Sequence, residues 1–109
     1  MNVELFYIEN CPNYPAAADM LKEALRERGL PENISEIAVS DSAQAEALAF
    51  RGSPTIRVDG NDIEDTPPMQ DQYGLSCRTY LIGGKLQGLP PRDMIRRALR
   101  TALRSASWS

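Results

Sequence analysis

The sequence predicts an α/β fold with the order β-α-β-α-β-β-α, a four-stranded mixed sheet and helices on both faces. Three observations carry this. An apolar, strand-like run near the start passes into a pattern of apolar residues at helical spacing. That alternation of strand and helix then repeats. Finally, an Asp-Gly turn signal, further strand-like residues and one more helical pattern complete the chain, the arrangement that covers a sheet on two sides.

The first strand is expected at residues 3–8 and the first helix at 14–28. In that helix Ala17, Met20, Leu21, Ala24 and Leu25 recur at three- and four-residue spacing and define one buried face. Gly29 ends it, and Leu30-Pro31 prevents continuation. A weaker second strand spans 34–39, with Ile37 and Val39 inward. Asp41 or Ser42 caps a second helix at 43–50. Ala47, Leu48 and Phe50 face inward there, and Arg51-Gly52-Ser53-Pro54 breaks it.

Residues 55–58 form the third strand, closed by the turn signal Asp59-Gly60. Segment 61–76 contains Pro67-Pro68 and Gly74 and has no periodicity. It is expected as a long loop, because hairpin connections usually run to about two to five residues. It reads either as a lid or docking surface or as a flexible insertion. The fourth strand is expected at 77–82, ended by Gly83-Gly84. Pro91 opens the last helix, which buries Met94, Ile95, Ala98, Leu99, Ala102 and Leu103. One domain then covers 1–104, and 105–109 is a flexible C-terminal tail.

At 109 residues the chain can bury a single core. Its net charge of −3 and few aromatic residues argue against a nucleic-acid partner. No stretch approaches the roughly 20 apolar residues that span a bilayer, so no membrane partner is expected. Met1-Asn2-Val3-Glu4 lacks the basic start of a secretory signal, and the expected location is cytoplasmic. Charge is unevenly spread. Asp59, Asp62, Glu64, Asp65 and Asp71 form an acidic stretch without a basic residue. Arg92, Arg96, Arg97, Arg100 and Arg104 line the last helix. These charges read as solvated faces or as a surface for a charged partner, and their opposite signs permit self-association.

The chain has no histidine and only two cysteines, Cys11 and Cys77. A Ser-His-Asp triad, a Cys-His pair and a four-cysteine zinc site are thereby excluded within this chain, and no metal or cofactor is expected. Cys11 stands between the first strand and the first helix. A thiol at such a junction meets the positive end of the helix dipole, which favours the thiolate. Cys11 reads as a nucleophile or as a small buried hydrophobe. With Pro15 fitting the first helical turn, Asn13 can be the cap, and Cys11 then lies just before the helix.

The element order, Cys11-Pro12-Asn13-Tyr14 at the strand–helix junction and Gly52-Ser53-Pro54-Thr55 before the third strand together resemble the thioredoxin superfamily over nearly the whole chain. Gly83-Gly84 is similar to the glycine pair of glutaredoxins. Cys-Pro-Asn-Tyr, Gly-Ser-Pro-Thr-Ile-Arg-Val-Asp-Gly and Tyr-Gly-Leu-Ser-Cys-Arg-Thr-Tyr resemble a small bacterial thioredoxin-like group. Members of that group are sometimes labelled as related to alkylmercury lyase or to selenium-containing thioredoxin-like proteins.

The resemblance implies that Cys11 is the reactive thiol and that the Ser53–Pro54 bond is cis. It also implies that Ser53, Pro54 and Thr55, with Pro12 and Asn13, flank the substrate, a small thiol, a protein thiol or a disulfide. Tyr14 stands where the family's resolving cysteine would be, so the implied chemistry is monothiol, with an outside thiol resolving the intermediate. Tyr14 reads either as a hydroxyl directed at the Cys11 sulfur or as an aromatic packed on the loop.

In a thioredoxin-like sheet the fourth strand runs parallel to the first. A Cys77 at its start would then lie about five residues, roughly 17 Å, from the level of Cys11. A disulfide needs Cα atoms within about 7 Å, so burial or pairing between molecules is favoured over direct pairing. Two other functions stand beside thiol–disulfide chemistry. One is soft-metal or organomercurial binding by Cys11, alone or with Cys77. The other is a non-catalytic interaction module.

Overall fold

The computed structural model describes residues 1–64, 75 and 78–106. Its elements are β1 (Val3–Tyr7), α1 (Tyr14–Glu27), β2 (Ser35–Ala38), α2 (Ser42–Ala47), β3 (Thr55–Val58), β4 (Asn61–Asp62), β5 (Tyr80–Ile82), β6 (Lys85–Gln87) and α3 (Arg92–Ala106). The fold is α/β, with a four-stranded mixed sheet in the order β2-β1-β3-β4. β2 runs parallel to β1, β3 antiparallel to β1, and β4 antiparallel to β3.

Strand alternation divides the core in two. Val3 and Leu5 of β1, opposite Val58 and Ile56 of β3, face α1 and α3. Leu21 and Leu25 of α1 and Ile95 and Leu99 of α3 close that side. Phe6 points the other way and packs with Val39, Ala45 of α2 and Phe50. Full burial of each of these larger side chains contributes about 1.5–3 kcal/mol. Part of the arginine face of α3 turns to α1: Arg96 pairs with Glu27 at 3.0 Å and Arg92 with Glu23 at 3.6 Å. Pairs this exposed are worth at most about 1 kcal/mol.

Helices α1 and α2 end alike. After α1 the amide of Leu30 donates to Leu25 O and that of Gly29 to Arg26 O, with Gly29 at φ 65°. After α2 the amide of Phe50 donates to Ala45 O and that of Ala49 to Glu46 O, with Ala49 at φ 52°. Both are Schellman endings, which require a left-handed residue just past the helix. Arg57 closes α2 further, donating to Leu48 O and Ala49 O while its guanidinium lies 4.7 Å over the Phe6 ring.

Several expectations are corrected. The fourth strand of the sheet is β4, directly after the Asp59-Gly60 turn, not residues 77–82. The reason is local: a two-residue turn folds the chain straight back on β3, with Arg57 opposite Asp62 and Val58 opposite Asn61. Segment 61–76 is therefore not one long loop; residues 65–74 and 76 lie outside the described residues. β5 instead pairs with β6 in a separate two-stranded sheet, turning at Gly83-Gly84. α2 stops at Ala47, which is exposed, and Ala45 is the buried helical residue. α3 continues to Ala106, into the segment expected as tail, and residues 107–109 lie outside the described residues.

Candidate functional site

β1 and β3 fix which end of the sheet carries the candidate site. Phe6 lies opposite Thr55 and Val3 opposite Val58, so the end of β1 meets the start of β3. Cys11 follows the first and Gly52-Ser53-Pro54 precedes the second. Two hydrogen bonds link them: the Ile8 amide donates to Ser53 Oγ at 3.1 Å, and the Cys11 amide donates to Ile8 O at 3.3 Å. Asn10, at φ 62°, makes the turn between them. Asparagine tolerates that left-handed geometry better than most residues.

Cys11 is buried, at 7% exposure. The Tyr14 amide donates to its carbonyl, and α1 begins at Tyr14 with Asn13 as N-cap and Pro15 in the first turn. Cys11 thus precedes the helix, and the dipole acts most strongly within the helical turn itself. Asn13 makes no side-chain cap. Its amide lies against Gly88, close enough that a Cβ on Gly88 would collide with Asn13 Nδ2. Pro12 is exposed and Asn13 half-buried, so these two residues are the open side of the site.

Tyr14 stacks on Tyr7, with ring centroids 3.9 Å apart and planes 4° from parallel. Its hydroxyl donates to Glu36 Oε1 at 2.7 Å. A phenol has one proton to give, so the hydroxyl is committed to Glu36 and donates to no sulfur. That hydrogen bond to a carboxylate is also the main reason the Tyr14 pKa is pushed up to about 12.

Ser53, Pro54 and Thr55 are buried, and the Ser53–Pro54 bond is cis. Their polar groups have internal partners. Thr55 Oγ1 donates to Gly52 O at 2.6 Å, the Arg78 amide to Ser53 O at 2.9 Å, and the Tyr80 hydroxyl to Pro54 O at 2.6 Å. The loop therefore forms the inner wall of the site, while Pro12 and Asn13 face outward.

Sequence reasoning missed Arg78 and its ion-pair network. Arg78 is 3% exposed. Its guanidinium donates to Asp62 through both terminal nitrogens at 2.7 and 2.8 Å, to Glu64 at 3.2 Å and to Thr55 Oγ1 at 3.1 Å. Arg51 joins from the other side, 3.1 Å from Glu64. A charge at this depth is tolerated only when paired and hydrogen-bonded. The available signal was the acidic stretch after Val58, which has no basic residue of its own and needs cations from elsewhere in the chain.

Cys77 lies outside the described residues. Because β5 starts at Tyr80 and does not belong to the main sheet, strand rise sets no separation between Cys77 and Cys11. Among the described residues no group of three or more metal-type side chains gathers. No helix among them is long and apolar enough to cross a membrane. A cavity of about 140 Å³, lined by Asp59, Asn61, Arg97 and Thr101, sits at the opposite end of the sheet from Cys11. Compared with protein-family models, curated proteins and solved structures, the chain matches none.

Proposed function

We propose that this chain is a cytoplasmic, thioredoxin-like monothiol protein whose reactive group is Cys11. The observation that carries this is the hydrogen-bonded link from Ser53 Oγ through Ile8 to Cys11, which ties the Cys11 backbone to the loop before β3. The four-stranded mixed sheet supports the same reading, since the resemblance implies a sheet of that kind. The Cys11 thiolate attacks one sulfur of a disulfide. A bond forms between Cys11 and that sulfur, the S–S bond breaks, and the second sulfur leaves as a thiolate. An external thiol then attacks the mixed disulfide and releases Cys11. Tyr14 takes no direct part in this chemistry, because its proton goes to Glu36.

Incubation with glutathione disulfide tests the proposal. Intact-protein and peptide mass spectrometry should find one glutathione on Cys11, removable by free glutathione, with insulin reduction far below that of a dithiol thioredoxin. Insulin reduction at the dithiol level would overturn the monothiol reading, and no adduct on Cys11 would overturn the redox reading altogether.

Burial of Cys11 favours a second reading, a non-catalytic interaction module that keeps the fold. Under it Cys11→Ser leaves cellular function intact, whereas charge reversal along α3 does not.

A further inference from the structure

Three consecutive loop carbonyls, those of Gly52, Ser53 and Pro54, each receive a hydrogen bond from a specific donor. Two of the donors, the Arg78 amide and the Tyr80 hydroxyl, come from one short segment distant in sequence. Its side chains are bound together as well: the Arg78 guanidinium lies 4.3 Å over the Tyr80 ring. The same guanidinium reaches Thr55 Oγ1, whose own proton goes to Gly52 O. Gly52 sits at φ 111°, and a Cβ there would lie 3.0 Å from the Arg78 backbone. Arg78 and Tyr80 are both buried, so neither is available to touch a substrate.

We infer that Arg78 and Tyr80 are positioning residues for Cys11: they clamp the Gly52-Ser53-Pro54 wall so that Ser53 Oγ stays on the Ile8 amide and the sulfur keeps one approach direction. This rests on the reading of Cys11 as a thiol nucleophile. Attack on a disulfide requires the three sulfurs close to a line, so it is sensitive to the wall. Iodoacetamide also needs an in-line approach, at carbon, but it is small and brings no second sulfur that must lie along the wall.

Tyr80→Phe tests this, because it removes one hydroxyl and leaves the ring in place. Arg78→Lys is the second variant, keeping the charge but losing the two-pronged geometry. Loss of one buried hydrogen bond should slow mixed-disulfide formation with glutathione disulfide by about ten-fold. Iodoacetamide alkylation of Cys11 should change by less than about two-fold. Hydrogen exchange of the Ile8 and Arg78 amides should rise about ten-fold, while that of Val39, bonded to Tyr7 O, stays unchanged.

Several results would overturn the inference. Exchange at Ile8 and Arg78 rising no more than at Val39 would mean that there is no local clamp. Local exchange rising while both chemistries are unchanged would mean that the contacts are structural only. Alkylation of Cys11 speeding up towards its rate in urea would point to a general loss of structure, and both chemistries slowing together would mean that the contacts do not act on the approach direction. If the wild type forms no mixed disulfide, the reading of Cys11 fails first and takes this inference with it.

Discussion

Tyr14 gives its hydroxyl proton to Glu36, at 2.7 Å, across the parallel side of the sheet. The contact ties the first turn of α1 to β2 and fixes the stacked Tyr7–Tyr14 pair beside Cys11. It also titrates. The folded-state pKa of about 12 lies above the ordinary value of 10.0, so the stabilisation is complete below pH 10 and is lost as pH rises towards 12. The pair is solvent-screened, and its contribution is below about 1 kcal/mol. Urea unfolding of wild type and Tyr14→Phe should therefore differ by a gap that closes between pH 10 and 12. A gap constant with pH would show that the hydroxyl is not bound to Glu36. Tyr14→Phe should also leave Cys11 alkylation within about two-fold of wild type, since a hydroxyl given to a carboxylate donates nothing to the sulfur.

Ala49 occupies the left-handed position that ends α2. A Cβ is strained there and glycine is not, so Ala49→Gly should stabilise the fold by about 0.5–1 kcal/mol in chemical denaturation. Destabilisation by the same amount would show that the helix does not end in a Schellman motif.

Among the described residues, removing Arg78 takes from Asp62 and Glu64 their most deeply buried cation, while Arg51 still pairs with both. Arg78→Ala should therefore cost about 3 kcal/mol or more, a large part of the roughly 5–15 kcal/mol available to a domain. Because the network is shielded from solvent, raising salt should change that difference little. A loss below about 1 kcal/mol would show that the network is as wet as a surface pair.

Cys11 is shielded in the folded protein, at 7% exposure. Peptide-resolved alkylation should find it modified more than about ten-fold slower in the native state than in urea, because the fold leaves little of the residue within reach of the reagent. Equal rates in the two states would show that the sulfur is open to solvent.

What could be read from the sequence divides along physical lines. α1 was legible because its periodicity and Gly29 agree, and β3 because Thr55-Ile56-Arg57-Val58 is rich in strand formers and ends at Asp59-Gly60. Ala49 does the same work as Gly29 but carries no signal, since what holds it there, the buried Phe50 that follows and the Arg57 hydrogen bond to Ala49 O, lies outside any local pattern. β4 escaped because Asn61-Asp62 has no strand propensity; its pairing is imposed by the turn, not by its side chains. The burial of Arg78 is a property of contacts 14 to 23 residues away, which no local pattern records. The Ser53, Pro54 and Thr55 wall was visible as a motif, but its internal hydrogen bonds were not.

β2 is an outer strand of the main sheet, and it is short, only Ser35–Ala38, with Glu36 in its middle. A strand of that length offers few free backbone groups, and a charge midway along it penalises the approach of another strand. Growth of the sheet from this edge into intermolecular aggregates is thus disfavoured by the same Glu36 that holds Tyr14. Neutralising that carboxylate would remove a safeguard against fibre-like association as well as a hydrogen bond.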